Sequence, residues 1–96
     1  MSKLSEAQAL EDSIAKTLCS QINAVDLDSL TTVQKKKFLT LCMAKCFQLH
    51  KDQIINDPRF AGLSDYDTGK RFGQIVGKNV VFILNKSCPK YRLHFQ

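Results

Sequence analysis

Apolar positions recur along this chain with helical rather than strand periodicity, in three segments separated by polar, turn-forming stretches. In the first segment Ala7, Leu10, Ile14 and Leu18 follow at three- and four-residue steps, and Ile22 continues the stripe. Ser5 with Gln8 three residues later has capping-box spacing, so a helix is predicted over 5–22. Residues 23–30, with Asp and Ser among them, read as a linker holding one short turn. Thr31 and Gln34 repeat the capping-box spacing and open a second helix, predicted over 32–54. At roughly 100° per residue, Phe38, Leu39, Cys42, Cys46 and Leu49 share one arc of about 100°, the predicted core face. Asp57-Pro58 and Gly62 mark a loop over 56–64. Ser64 and Asp67 then begin a third helix, predicted over 65–87 and stopped by Pro89, with a basic and aromatic tail over 90–96. Three helices with short connections predict one all-α domain over residues 1–96, an up-down-up three-helix bundle.

Charge changes this picture in one respect. The net charge of +5 is unevenly spread. Residues 1–34 carry Lys3 and Lys16 against Glu6, Glu11, Asp12, Asp26 and Asp28, whereas residues 35–96 carry twelve Lys or Arg against Asp52, Asp57, Asp65 and Asp67. Either the acidic first third packs beside the basic remainder, or a basic surface faces an acidic partner. The chain shows no basic start followed by an apolar run, and no stretch reaches the roughly 18 apolar residues of a membrane span. It is therefore expected to be cytoplasmic by default, or exported if it is a mature form without its leader.

The third segment carries Gly69, Gly73 and Gly77 at steps of four. Each glycine inside a helix costs about 0.8–1.0 kcal/mol relative to alanine, so close approach of another backbone is the expected offset. That backbone belongs to helix two of the same chain or to a second copy. Gly73 to Gly77-Lys78-Asn79 is not a phosphate loop: it is one residue short, lacks the Ser or Thr, and follows no strand.

Four cysteines leave three uses open: buried thiols, disulfides, or metal ligands. Cys42 and Cys46 are one helical turn apart, with Cβ atoms about 5–6 Å apart against about 3.8 Å in a disulfide, so they do not pair with each other. Cys19 and Cys88 fall near the start of helix two, nearer to Cys42, about 15 Å along it, than to Cys46 at about 21 Å. The expected cross-link is thus Cys42 with Cys19 or Cys88, while Cys46 packs in the core. A soft-metal site for Zn or Cu would use Cys42, Cys46 and His50, which share one side of helix two. No orienting acid or nucleophile elbow accompanies Cys46 and His50, so an enzyme is not expected.

Lys35, Lys36 and Lys37 at one helix start and Lys86, Lys90 and Arg92 at another helix end form two basic clusters. With Tyr91 and Phe95 interleaved they offer backbone contact plus stacking for nucleic acid, against the plainer reading of a solvated end. The pattern Cys19, Cys42, Gly73-x-x-x-Gly77 and Cys88-Pro89 resembles a family of small helical proteins of Bacteroidetes-type bacteria, over residues 18–92. The resemblance implies a helical fold and no activity. Many members carry an export signal, which implies oxidised cysteines; Cys46 departs from the family pattern. The expected function is a non-enzymatic interaction or structural module with a protein partner or self-association, the alternatives being metal binding and nucleic-acid binding.

Overall fold

The structure, a computed structural model, describes residues 3–95, with side chains described from residue 9 onward. It is all-helical, and among the described residues there is no strand. Helix α1 spans Lys3–Asn23, α2 Thr32–Leu49, α3 Lys51–Ile55, α4 Asp65–Arg71, α5 Gly77–Ser87 and α6 Pro89–Phe95. A π-helical turn, Phe72–Val76, joins α4 to α5 in one continuous run, and short 3-10 turns occupy Leu27–Ser29 and Pro58–Phe60. None of the helices is long and apolar enough to cross a membrane, among the described residues.

Local chemistry explains most boundaries. At α2 both legs of the capping box form: the Gln34 amide donates to Thr31 Oγ1 at 3.2 Å, and the Thr31 amide donates to Gln34 Oε1 at 2.9 Å. At α4 the Asp67 amide donates to Ser64 Oγ at 3.2 Å. The first helix differs from expectation, since α1 already includes Lys3 and Ser5 lies inside it. The side chains of Ser5 and Gln8 fall outside the described residues.

Two predicted elements are broken further than the sequence pattern indicates. The second helix ends at Leu49, because His50 leaves the helical region at φ −104°, ψ 17°, and α3 restarts at Lys51. Leu49, placed on the core face by its spacing, is consequently 68% exposed, and Ile54 is buried instead. The predicted tail is also ordered. Cys88 breaks the run at φ −126°, ψ 89°, and Pro89 opens α6, where its missing N–H costs no helical bond. Tyr91 is buried, the Lys90 ammonium donates to the Val25 carbonyl, and His94 Nε2 lies 3.5 Å from Asp28 Oδ1. These contacts hold α6 against the α1–α2 connection.

The core forms where α1 meets α5. Leu10, Ile14, Leu18 and Ile22 of α1 are buried together with Phe72, Val76, Val80 and Leu84, joined by Leu27, Cys46, Ile54 and Phe60. Full burial of such a side chain contributes roughly 1.5–3 kcal/mol each. The π turn matters to this stripe. Four-residue steps drift around an ordinary α-helix, and one wider turn takes back part of the drift, so Phe72, Val76, Val80 and Leu84 all remain inward.

One polar cluster is buried within this core. Glu11, 3% exposed, accepts from Arg59 through both carboxylate oxygens at 3.1 and 2.8 Å, and from the Asn79 amide at 2.6 Å. Arg59 also donates to both oxygens of Asp57 at 3.0 and 2.9 Å, and so ties the Pro58–Phe60 turn to α1 and α5. Arg59→Met leaves the Glu11 carboxylate buried with Asn79 as its remaining donor, and is expected to cost about 3 kcal/mol in urea titration. Hydrogen bonding to Arg59 holds the Asp57 carboxyl below its ordinary range. Its contribution is therefore complete above the unfolded value of about 4 and is lost as the pH falls through the lowered folded one. An Asp57→Asn variant is expected to show a shallower loss of stability in that acid window.

Candidate functional site

The cysteines do not follow the expected pairing. Cys19 is bonded to Cys88, with Cα atoms 5.9 Å apart, and Cys42 and Cys46 are free and buried. The Cys42 cross-link to either is thereby corrected. The reason is the α1–α5 contact: Glu11 meets Asn79 and, further along both helices, Cys19 meets Cys88, so the two helices lie side by side in the same direction. Cys19 and Cys88 reach the same depth on adjacent helices, while Cys42 turns toward the end of α1 near Gln21 and Val25. The bond spans 69 positions, and restricting an unfolded loop of that length is worth up to about 4 kcal/mol in the chain-entropy picture.

The metal trio is likewise not assembled as a ligand set. His50 has both ring nitrogens engaged, Nε2 with Thr17 Oγ1 at 3.0 Å and Nδ1 with Gln53 Oε1 at 2.7 Å. Burial raises the thiol of Cys42 above its usual range and, with the nearby Cys42 charge adding to the effect, pushes Cys46 up to about 11. Both are therefore neutral thiols near pH 7, and thiolate is the form that ligates or attacks. Among the described residues no three His, Cys, Asp or Glu side chains gather to hold a metal ion.

The glycines stand differently from either expectation of close packing within the chain. A Cβ added at Gly69 or Gly73 meets no atom within 4 Å, and at Gly77 it meets only the Phe72 carbonyl oxygen at 3.9 Å, the helix's own backbone. Among the described residues no other helix closes on them, which corrects the intramolecular reading. Instead Gly73 and Gly77 form one wall of an open groove of about 490 Å³ between α5 and α2. Leu39 and Met43 of α2 make the facing wall, with Val80 and Val81 beside the glycines and Tyr91 of α6 at its side. A second groove, about 560 Å³, follows the other flank of α2, against α1, and is lined by Val25, Phe38, Leu41 and Cys42. Leu41 is 67% exposed and Val81 40% exposed. Helix α2 is thus bordered by open apolar surface on both sides.

The basic end is less available than its sequence indicates. Tyr91 is buried and stacked on Phe95, with ring centroids 5.3 Å apart, so its face is not presented for a base. Lys90 is committed to Val25, and Lys86 lies 4.3 Å over the ring of Phe82. Lys35 is half-buried, while Lys36, Lys37 and Arg92 are exposed.

The buried Glu11–Arg59–Asp57 cluster was not anticipated, though its signal is present. Glu11 lies at about 100° from Leu10, within the arc that also holds Ile14, Leu18 and Ile22, and a carboxylate inside an apolar stripe requires a buried partner. The identity of that partner, Arg59, is set by tertiary packing across 48 positions.

No family model matches the chain, and no curated protein or solved structure matches it either.

Two outcomes follow from this geometry. Without reductant, labelling of unfolded protein is expected to find two thiols rather than four, and both are expected to react far more slowly in the folded protein at pH 8. Four rapidly labelled thiols would contradict the Cys19–Cys88 bond. Gly69→Ala is expected to stabilise the isolated chain by about 0.8–1.0 kcal/mol, because the helix gains propensity and the methyl group enters open space. Thermal or urea unfolding measures it, and destabilisation would show that something does pack there.

Proposed function

We propose that this protein is a non-enzymatic interaction module that docks a helix in the groove between α2 and α5. The observation that carries the reading is a pair of apolar walls left open to solvent, one of them built from glycines whose helix cost no close contact among the described residues offsets. Small residues let a second helix approach closely, and an open groove with apolar walls suits an amphipathic helix laid along it. The frame behind it is read as an up-down-up bundle of α1, α2 and the α4–α5 run, with α3 and α6 as additions. The neutral, buried thiols and the engaged His50 give the free cysteines a packing role rather than a catalytic one.

The same reading places the protein in an oxidising compartment, since a structural disulfide persists there and is rare in the cytosol. The resemblance to helical proteins of Bacteroidetes-type bacteria, many with an export signal, points the same way.

The test uses a synthetic amphipathic helical peptide with an uncharged polar face and a Gly/Ala seam. Fluorescence anisotropy is expected to show saturable binding that Gly73→Leu weakens by about ten-fold or more, or about 1.4 kcal/mol. Circular dichroism is expected to show Gly73→Leu folded, because position 73 faces open space. Absence of peptide binding, together with a strictly monomeric chain in sedimentation, would sink the proposal.

A further inference from the structure

We infer that the occupant of the groove between α2 and α5 is an acidic amphipathic helix of a different protein, an inference that rests on the docking reading above. The argument is one of charge on the two helices that build the walls. Helix α2 carries Lys35, Lys36, Lys37 and Lys45 without a single Asp or Glu over Thr32–Leu49. Helix α5 carries Lys78 and Lys86, again without a carboxylate over Gly77–Ser87. Among the described residues none of these six lysines makes an ion pair, and Lys78 lines the groove itself. Lys45 lines the opposite groove and Lys86 lies over Phe82, so the cations at this trough are Lys78, in its lining, and Lys35 and Lys36, one turn before Leu39 on the same side of α2. They attract a helix whose apolar stripe is flanked by Asp and Glu, and they repel a basic one.

The other occupants fit less well. A second copy would bring two lysine-bearing walls of like sign together across a two-fold seam. Helix α1, which carries a net negative charge, cannot serve as the ligand, because Leu10, Ile14, Leu18 and Ile22 are buried in its own core, and α4 balances Asp65 and Asp67 with Lys70 and Arg71. Nucleic acid would engage the cations through its phosphates and leave the apolar lining of Leu39, Met43, Val80 and Val81 uncovered. An anionic membrane surface would be met by a protruding apolar face, whereas this one is recessed between helices.

The experiment compares three helical peptides that share one apolar seam and carry Glu, Gln or Lys on the remaining face, each titrated against the full chain with its disulfide intact. The Glu peptide is expected to bind about ten-fold tighter than the Gln peptide and the Lys peptide least, with the spread narrowing from about 50 to about 300 mM NaCl. Lys78→Glu is expected to weaken the Glu peptide and strengthen the Lys peptide, while Gly73→Leu weakens all three. Equal affinity for the three peptides would overturn the acidic partner and leave the docking reading standing. Failure of all three to bind would overturn both. Self-association removed by Gly73→Leu would make the occupant a second copy and overturn the inference. So would tighter binding to phosphatidylserine vesicles or duplex DNA than to the Glu peptide, unaffected by that substitution.

Discussion

The seam between α1 and α5 is the contact on which the rest of the molecule depends. Along it, the apolar stripe of Leu10, Ile14, Leu18 and Ile22 is buried with Val76, Val80 and Leu84. It is fastened at two levels: by the Glu11–Asn79 hydrogen bond, backed by Arg59, and by the Cys19–Cys88 bond. The two fastenings differ in kind. The carboxylate in an apolar core is tolerable only with its partners in place, so it rewards the correct register more than it adds stability. The disulfide acts chiefly on the unfolded chain, by closing a long loop. With both in place α5 is held from its first turns to its end, and α6 follows directly from Cys88.

This arrangement also leaves the groove open. Helix α5 spends its inward stripe on α1, and α2 spends Cys42, Cys46 and the His50–Thr17 contact on the same neighbour. Between α2 and α5 there remain half-buried Leu39 and Met43 facing Gly73 and Gly77. The disulfide places Tyr91 three residues beyond Cys88, where it lines the same trough. The bond therefore bears on the candidate site as well as on the core.

Much of this was legible in the residues. Helical class, the Thr31–Gln34 cap, the loop around Asp57-Pro58 and the start of α4 all follow from local patterns that tertiary contacts did not override. What periodicity could not reveal are breaks in a helical run. A sequence with Leu49, Ile54 and Ile55 at near-helical steps does not announce that His50 will leave the helical region, because the break is accompanied by a bond from His50 to Thr17, 33 positions away. The disulfide was within reach of the same reasoning that missed it: two cysteines at the same depth on neighbouring helices are each other's nearest partners. Cys42 and Cys46 need no partner, because burial in the core accommodates both as thiols. The glycine spacing, in turn, leaves room for close approach of a backbone; only the packed structure tells whether one comes near.

The segregation of charge along the chain resolves into two parts. Some of it is internal, since Glu11 pairs with Arg59, and Asp28 lies beside His94, so the acidic first third does meet the basic remainder. Among the described residues the lysines of α2 and α5 are not used in this way. An unpaired surface lysine costs little by itself, and a run of them on one helix is common on a solvated face. Their position is what distinguishes them. Lys35 closes the first turn of α2, where the helix dipole disfavours cations, and Lys78 lines an apolar trough whose other lining groups carry no charge. These cations, beside apolar surface left uncovered, are what the proposed ligand would account for together: a helix bringing acidic side chains to the rim and apolar ones to the floor.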